Sequence, residues 1–177
     1  MEKAVDWEKC NEEILQRISC YLNFGEKSID IHQVKKVSDC GVSQSKAVEL
    51  LFAGYLDLDL FLQKEYLPYM LKELYIKDYI ADAYYKDISF DNAVCGEWEL
   101  KKDCYAPYEI FVRDDFVYDS LKVLPQLGYF NEEFQFPAVY QNGALWMSVT
   151  PNEINTMKLP VESAKGKVLT FGLVLGY

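Results

Sequence analysis

A chain of 177 residues, half of them hydrophobic, with 14 tyrosines and 10 phenylalanines, has enough apolar mass for a packed core, which excludes a disordered polymer. Its formal net charge of −10 is spread along the chain: residues 1–90 hold 16 acidic and 11 basic side chains, and residues 91–177 hold 12 and 7. With no basic stripe to offer a phosphate backbone, that balance argues against direct nucleic-acid binding and against anionic membranes, and it suits a basic protein partner.

In chain order, Val5, Trp7, Ile14, Leu15, Ile18, Tyr21 and Leu22 fall at helical spacing with Glu12 and Glu13 on the other face. This predicts an amphipathic helix over residues 4–23 that ends at Gly25. A second helix is expected over residues 30–39 on a stripe of Ile31, Val34 and Val37. Ser43 is the expected N-cap of a third, which carries Ala47, Leu50, Leu51 and Phe52. Val37 to Val48 has the local form of a helix-turn-helix, but its second helix offers Lys46, Glu49 and no arginine, so plain helix packing is the expectation. A long helical pattern covers residues 59–79, with Pro68 expected to kink it or start a new helix. A short helix or turn at residues 82–88 closes the helical half, with Tyr84 and Tyr85 read as core.

From Asn92 the pattern changes to short runs rich in Tyr, Phe, Val and Trp, punctuated by Gly96, Pro107, Gly128, Pro137 and Gly143. Strands are predicted near residues 97–101, 108–113, 134–140 and 145–149. Asn142-Gly143 is the strongest hairpin signal, and Pro137 places its strand at an edge or a strand start. Thr150-Pro-Asn-Glu153 reads as a capped helix start, with proline at the first helical position and a helix through Met157. A further turn over residues 160–165 leads to Gly166 and to a buried apolar strand, Val168 to Phe171. The fold class expected is therefore α+β: an amino-terminal helical bundle over residues 1–90, then a small, mostly antiparallel sheet over 91–177 ending in a terminal apolar strand.

The five cysteines (Cys10, Cys20, Cys40, Cys95 and Cys104) are odd in number and scattered, with no C-x-x-C pair. With no signal peptide read at the start and no apolar run near 18 residues, they fit reduced thiols of a cytoplasmic protein. His32 is the single histidine, so no metal site is expected.

Six stretches carry a family resemblance: Asp82-Ala-Tyr-Tyr-Lys-Asp-Ile, Trp98-Glu-Leu-Lys, Ala106-Pro-Tyr-Glu-Ile-Phe-Val, Pro125-Gln-Leu-Gly-Tyr-Phe, Trp146 to Met157, and Gly166-Lys-Val-Leu-Thr-Phe-Gly-Leu. From about Val48 onward the chain resembles the amino-terminal part of a group of uncharacterised clostridial proteins. In these, a class I, spermidine-synthase-like methyltransferase domain that uses S-adenosylmethionine follows an accessory domain. Two departures stand out. The glycine turn of the family, Gly-Leu-Gly-Leu-Gly, is here Gly172-Leu-Val-Leu-Gly176. A branched Val174 resists the backbone approach that a central glycine permits. The chain also stops at Tyr177, before the acidic residue expected about 20 residues further on to hold the ribose hydroxyls. Gly172, Val174 and Gly176 thus read as a degenerate remnant of a cofactor cradle, with no cofactor expected.

No nucleophile elbow, phosphate loop or Cys-His pair can be assembled, so no catalytic residue is proposed and the chain is not read as an enzyme. The densest acidic cluster without nearby bases is Asp114, Asp115 and Asp119 with Glu132 and Glu133; a plain solvated loop is one reading of it, and an acidic patch for a basic partner is the functional one. The function expected is a binding protein that inhibits a basic nucleic-acid-processing enzyme by occupying its nucleic-acid groove. Anti-CRISPR proteins of phages and mobile elements are the analogy, by composition. The alternative is an accessory domain that presents substrate to a methyltransferase and is inactive alone. The apolar terminal strand can pair with the chain's own small sheet or with its copy in a second subunit, and a homodimer is expected.

Overall fold

The computed structural model describes residues 5–82, 85 and 89–169. Tyr84 and residues 170–177, which carry Gly172, Val174, Gly176 and half of the expected strand over 168–171, lie outside the described residues; Val168 and Leu169, expected in a buried strand, are exposed and outside any strand. The chain is of the α+β class, with helices first and sheets after. It divides into two compact units, Met1–Leu74 with Ala106–Glu132, and Tyr75–Tyr105 with Glu133–Tyr177. These are not the consecutive halves 1–90 and 91–177, and the reason is a strand pairing that the sequence pattern hides.

In the first unit, four helices follow one another: α1 (Trp7–Phe24), α2 (Ile31–Ser38), α3 (Gln44–Tyr55) and α4 (Leu60–Met70). Each begins at a short polar side chain that accepts a bond from a free first-turn amide: Asp6 from Lys9, Asp30 from His32, Ser43 from Lys46 and Asp59 from Leu62. Ile14, Ile18 and Tyr21 of α1 are buried at the i, i+4, i+7 spacing of one helix face. They join Val48, Phe52, Tyr66, Leu67 and Met70 in a single apolar core.

The expected helix over 59–79 is interrupted over residues 71–75. Pro68 lies in the last turn of α4, and its ring opposes the carbonyl four residues back, so the helix ends at Met70. The next four residues form strand β1 (Leu71–Leu74), and only Ile76–Ile80 is helical again, as α5. Strand β1 pairs in parallel with β5 (Lys122–Phe130), Leu71 opposite Leu127 and Leu74 opposite Phe130, and β4 (Phe111–Asp119) pairs antiparallel on the other side of β5. Leu124, Leu127 and Tyr129 thereby enter the helical core, which binds the hairpin to the first unit.

The central strand β5 contains Pro125 and Gly128, which read as punctuation in the sequence. Each has a local reason. Asp114 pairs with Gln126 and Val117 with Leu124, so Asp115 and Phe116 together face the single Pro125 in a bulge. A missing amide costs least where the ladder is already interrupted. A Cβ on Gly128 would stand 2.7 Å from Leu74 Cδ1 and 3.2 Å from Arg113 Cδ, so β5 is narrow there because both neighbouring strands press against it.

The second unit holds α5, a four-stranded antiparallel sheet and helix α6 (Pro151–Ser163). The sheet order is β2 (Ala93–Cys95), β3 (Trp98–Tyr105), β6 (Phe134–Gln141) and β7 (Ala144–Ser148). Its buried side is aromatic: Tyr79 meets Phe134 edge-on at 5.9 Å, and Tyr105 lies 4.8 Å from Phe136. Asn142 and Gly143 turn the β6–β7 hairpin with φ of 50° and 77°, the conformation that Asn-Gly accepts best. Pro137, expected at an edge, lies in the interior strand β6. Its carbonyl accepts the Val149 amide, just past the end of β7, so its missing N–H points to where no ladder bond is required. Proline opens α6 as expected, although the Thr150 side chain makes no cap bond and the helix runs through Pro160 to Ser163. Among the described residues no helix is long and apolar enough to cross a membrane.

Candidate functional site

The three aspartates singled out in the sequence lie on a strand, not a loop. Asp114 and Asp115 sit in the middle of β4, and Asp119 ends it at the hairpin tip, opposite Lys122. Glu132 follows the other end of the hairpin, about 25 Å away along β4 at roughly 3.3 Å per residue. Glu133 belongs to the second unit. The five carboxylates are therefore not one patch. The structure places Asp114, Asp115 and Asp119 on one strand and separates Asp119 from Glu132.

What lies between these aspartates is the more informative feature. Phe116, Val117, Tyr118 and Leu121 are all solvent-exposed, Tyr118 by 75%, Leu121 by 68% and Phe116 by 52%. A run of large apolar side chains clustered at one hairpin tip marks a contact surface more often than an accident of packing. Strand β4 is also the edge of its sheet. Its nine residues oppose seven of β5, because Arg113 is extra between Val112 and Asp114, and Asp115 and Phe116 share one partner. Two bulges and the carboxylates discourage another strand from adding to this edge. The surface offers side chains, not a backbone ladder. In the sequence the signal is an apolar triplet between acids, Phe116 to Tyr118, beside a two-residue turn.

The hairpin tip is fixed firmly from behind. Asn11 of α1 donates to the Leu121 carbonyl at 2.8 Å, and its side-chain oxygen accepts the Val123 amide at 2.9 Å and the Tyr66 hydroxyl at 2.8 Å. Lys122 reaches Glu65 of α4 at 3.0 Å and lies 5.3 Å from both the Trp7 and Tyr69 ring centres. Farther along the hairpin, the Arg113 guanidinium donates to the Leu127 carbonyl and to Gln126, which fills the gap that the bulge opens. A contact surface held in this way loses little conformational freedom on binding.

Other polar groups are engaged within the fold. An open groove of about 1040 Å³ runs along α1, lined by Glu13, Arg17, Phe24, Tyr55 and Asp57 among others. Arg17 there donates to Glu13 and to the carbonyls of Leu56 and Asp57, which close the end of α3. Lys46 of α3 is paired with Glu49 at 2.6 Å. In the second unit Tyr140 bonds Asp103 under the Lys101 ammonium, and burial together with that bond pushes its phenol up to about 12. Among the described residues no group of three or more His, Cys, Asp or Glu side chains could hold a metal ion, and His32 is exposed at the start of α2. A scan against protein-family models, a search of curated proteins and a search of solved structures each found no match.

Proposed function

We propose that this chain is an acidic binding protein whose β4–β5 hairpin docks a basic protein partner, and that the partner surface it covers is one that holds nucleic acid. One observation carries the reading: the exposed apolar run Phe116-Val117-Tyr118, with Leu121, is fixed in place and bordered by Asp114, Asp115 and Asp119. The apolar side chains supply the affinity of a desolvated centre, as aromatic residues do at most interfaces. The aspartates at the rim, with a net charge of −10 behind them, steer a cationic surface towards it. A nucleic-acid-processing enzyme presents that kind of surface, and carboxylates can stand where phosphates would lie.

The test is capture from bacterial lysate, with the retained proteins identified by mass spectrometry. The expected result is a basic protein released by competing DNA, with retention falling steeply between about 0.05 and 0.5 M salt. Tyr118→Ala is expected to weaken the complex roughly 30-fold, the order of an aromatic hot spot. Replacing Asp114, Asp115 and Asp119 together with asparagine should slow association by about tenfold and flatten the salt dependence. Retention of neutral or acidic proteins only, or capture unchanged in both variants, would overturn the proposal.

A further inference from the structure

The second unit carries a different exposed surface, at the end of its sheet where two tight turns meet. Trp98 begins β3 and faces Gln141 of β6 and Cys95 of β2 in register. Residues opposite one another on antiparallel strands share a face, so Gln141 stands beside Trp98. Trp146 joins them by an irregularity of β7: Tyr140 pairs with Leu145 and Val139 with Met147, which leaves Trp146 as the extra residue of a bulge. Bulges re-aim side chains, and this one brings the Trp146 ring to 5.6 Å from that of Trp98 at an interplanar angle of 89°. The two indoles make a corner of perpendicular walls. Trp98 is 37% and Trp146 60% exposed, so ring surface remains open to solvent.

Beside the corner is a fixed anion. Glu97 accepts the Gln141 side-chain amide at one carboxylate oxygen and the Asn142 side-chain amide at the other, both at 2.8 Å, and its own carbonyl takes the Asn142 amide. These bonds, that from Gln141 foremost, hold its carboxyl below the usual carboxylate range, so it stays ionised. Each oxygen has accepted one bond and retains a lone pair.

From this juxtaposition we infer that the corner of Trp98 and Trp146, with the carboxylate of Glu97, receives an arginine side chain. A guanidinium stacks flat on an indole and donates two parallel bonds to a carboxylate, whereas an ammonium does neither as well. The sign of the ligand follows from the anion in place and from the charge of the chain. The arginine belongs to a protein segment, and only in that source does the inference rest on the basic partner proposed above.

The experiment uses the full chain labelled with 15N and follows the three indole N–H resonances by NMR, assigned by Trp→Phe variants. The probe is N-acetylarginine amide, with N-acetylcitrulline amide as its neutral isostere and N-acetyllysine amide as the other cation. The arginine probe should shift the Trp98 and Trp146 signals together, with an apparent Kd on the order of tens of millimolar, and leave Trp7 unmoved. Citrulline and lysine should each bind at least about fivefold more weakly. Trp146→Ala, a change at an exposed site, should abolish the shift at Trp98. Glu97→Gln should weaken it about threefold while both indole signals persist. No saturable shift, equal shifts with citrulline or lysine, or binding unchanged in both variants would each overturn the inference. Capture through the hairpin would stand in that event, since it is read with Tyr118→Ala in the other unit. Conversely, an arginine response with no captured partner would leave the corner established and remove the hairpin proposal.

Discussion

Single side chains decide more of this molecule than their composition suggests. Asn11 is a polar residue on the first helix that no pattern marks, yet it closes three hydrogen bonds to Tyr66, Leu121 and Val123. Asn11→Ala would leave a buried phenol and a strand amide without partners, at a cost of about 2–3 kcal/mol measurable by urea unfolding. Asn11→Asp keeps the acceptor and loses only the bond to Leu121, so its cost should be about half. Tyr66 gives this site a pH signature. Burial pushes its phenol up to about 12, against an ordinary value near 10. The raised value means that the stability contributed by the neutral phenol is complete below about pH 10 and is lost as pH rises through about 12. A titration of phenolate absorbance should show a late class of tyrosines, Tyr66 among them, that ionises together with loss of helical ellipticity. A single class near 10 with unchanged ellipticity would contradict that assignment. Sequence alone could not reveal Asn11, because its partners lie more than 50 positions away and spacing carries no record of them.

At the scale of elements, what the sequence revealed was local and what it hid was distant. The starts of α2 and α3, the Asn142-Gly143 hairpin and the proline-led start of α6 are legible because a cap or a turn depends on neighbours three or four residues away. Strand β5 is not legible because Pro125 and Gly128 mimic loop chemistry, and β1 is not because four residues between two helices give too short a period to detect. Glycines separate the two kinds of signal. Gly143 has φ of 77° in a tight turn, so Gly143→Ala should destabilise by about 1 kcal/mol. Gly54 sits in α3 with open space where a Cβ would stand. Gly54→Ala should therefore stabilise by about 0.5–1 kcal/mol. Thermal denaturation of the pair distinguishes them by sign. The candidate surface follows the same rule: its aspartates were visible as a charge run, but that they share a strand with an exposed aromatic triplet, far from Glu132, depended on a register that only the fold supplies.

At the scale of the whole molecule, the chain passes between its two units three times, after Leu74, Tyr105 and Glu132. Neither unit is a continuous segment, so an amino-terminal piece should not fold independently. A fragment of residues 1–90 lacks Leu124, Leu127 and Tyr129 and the partner of β1, and is expected to show helical signal without a cooperative unfolding transition. Joining residues 5–74 to 106–132 by a short flexible linker should restore that transition, and a non-cooperative product would contradict the division described above. The parallel pairing of β1 with β5 also has a consequence during synthesis. At roughly 5–20 residues per second, the ribosome exposes the apolar faces of four finished helices for some seconds before the strand that covers them emerges. The nascent chain thus passes through a sticky interval that its mature form conceals, and a trigger-type chaperone at the exit tunnel would have its longest task there.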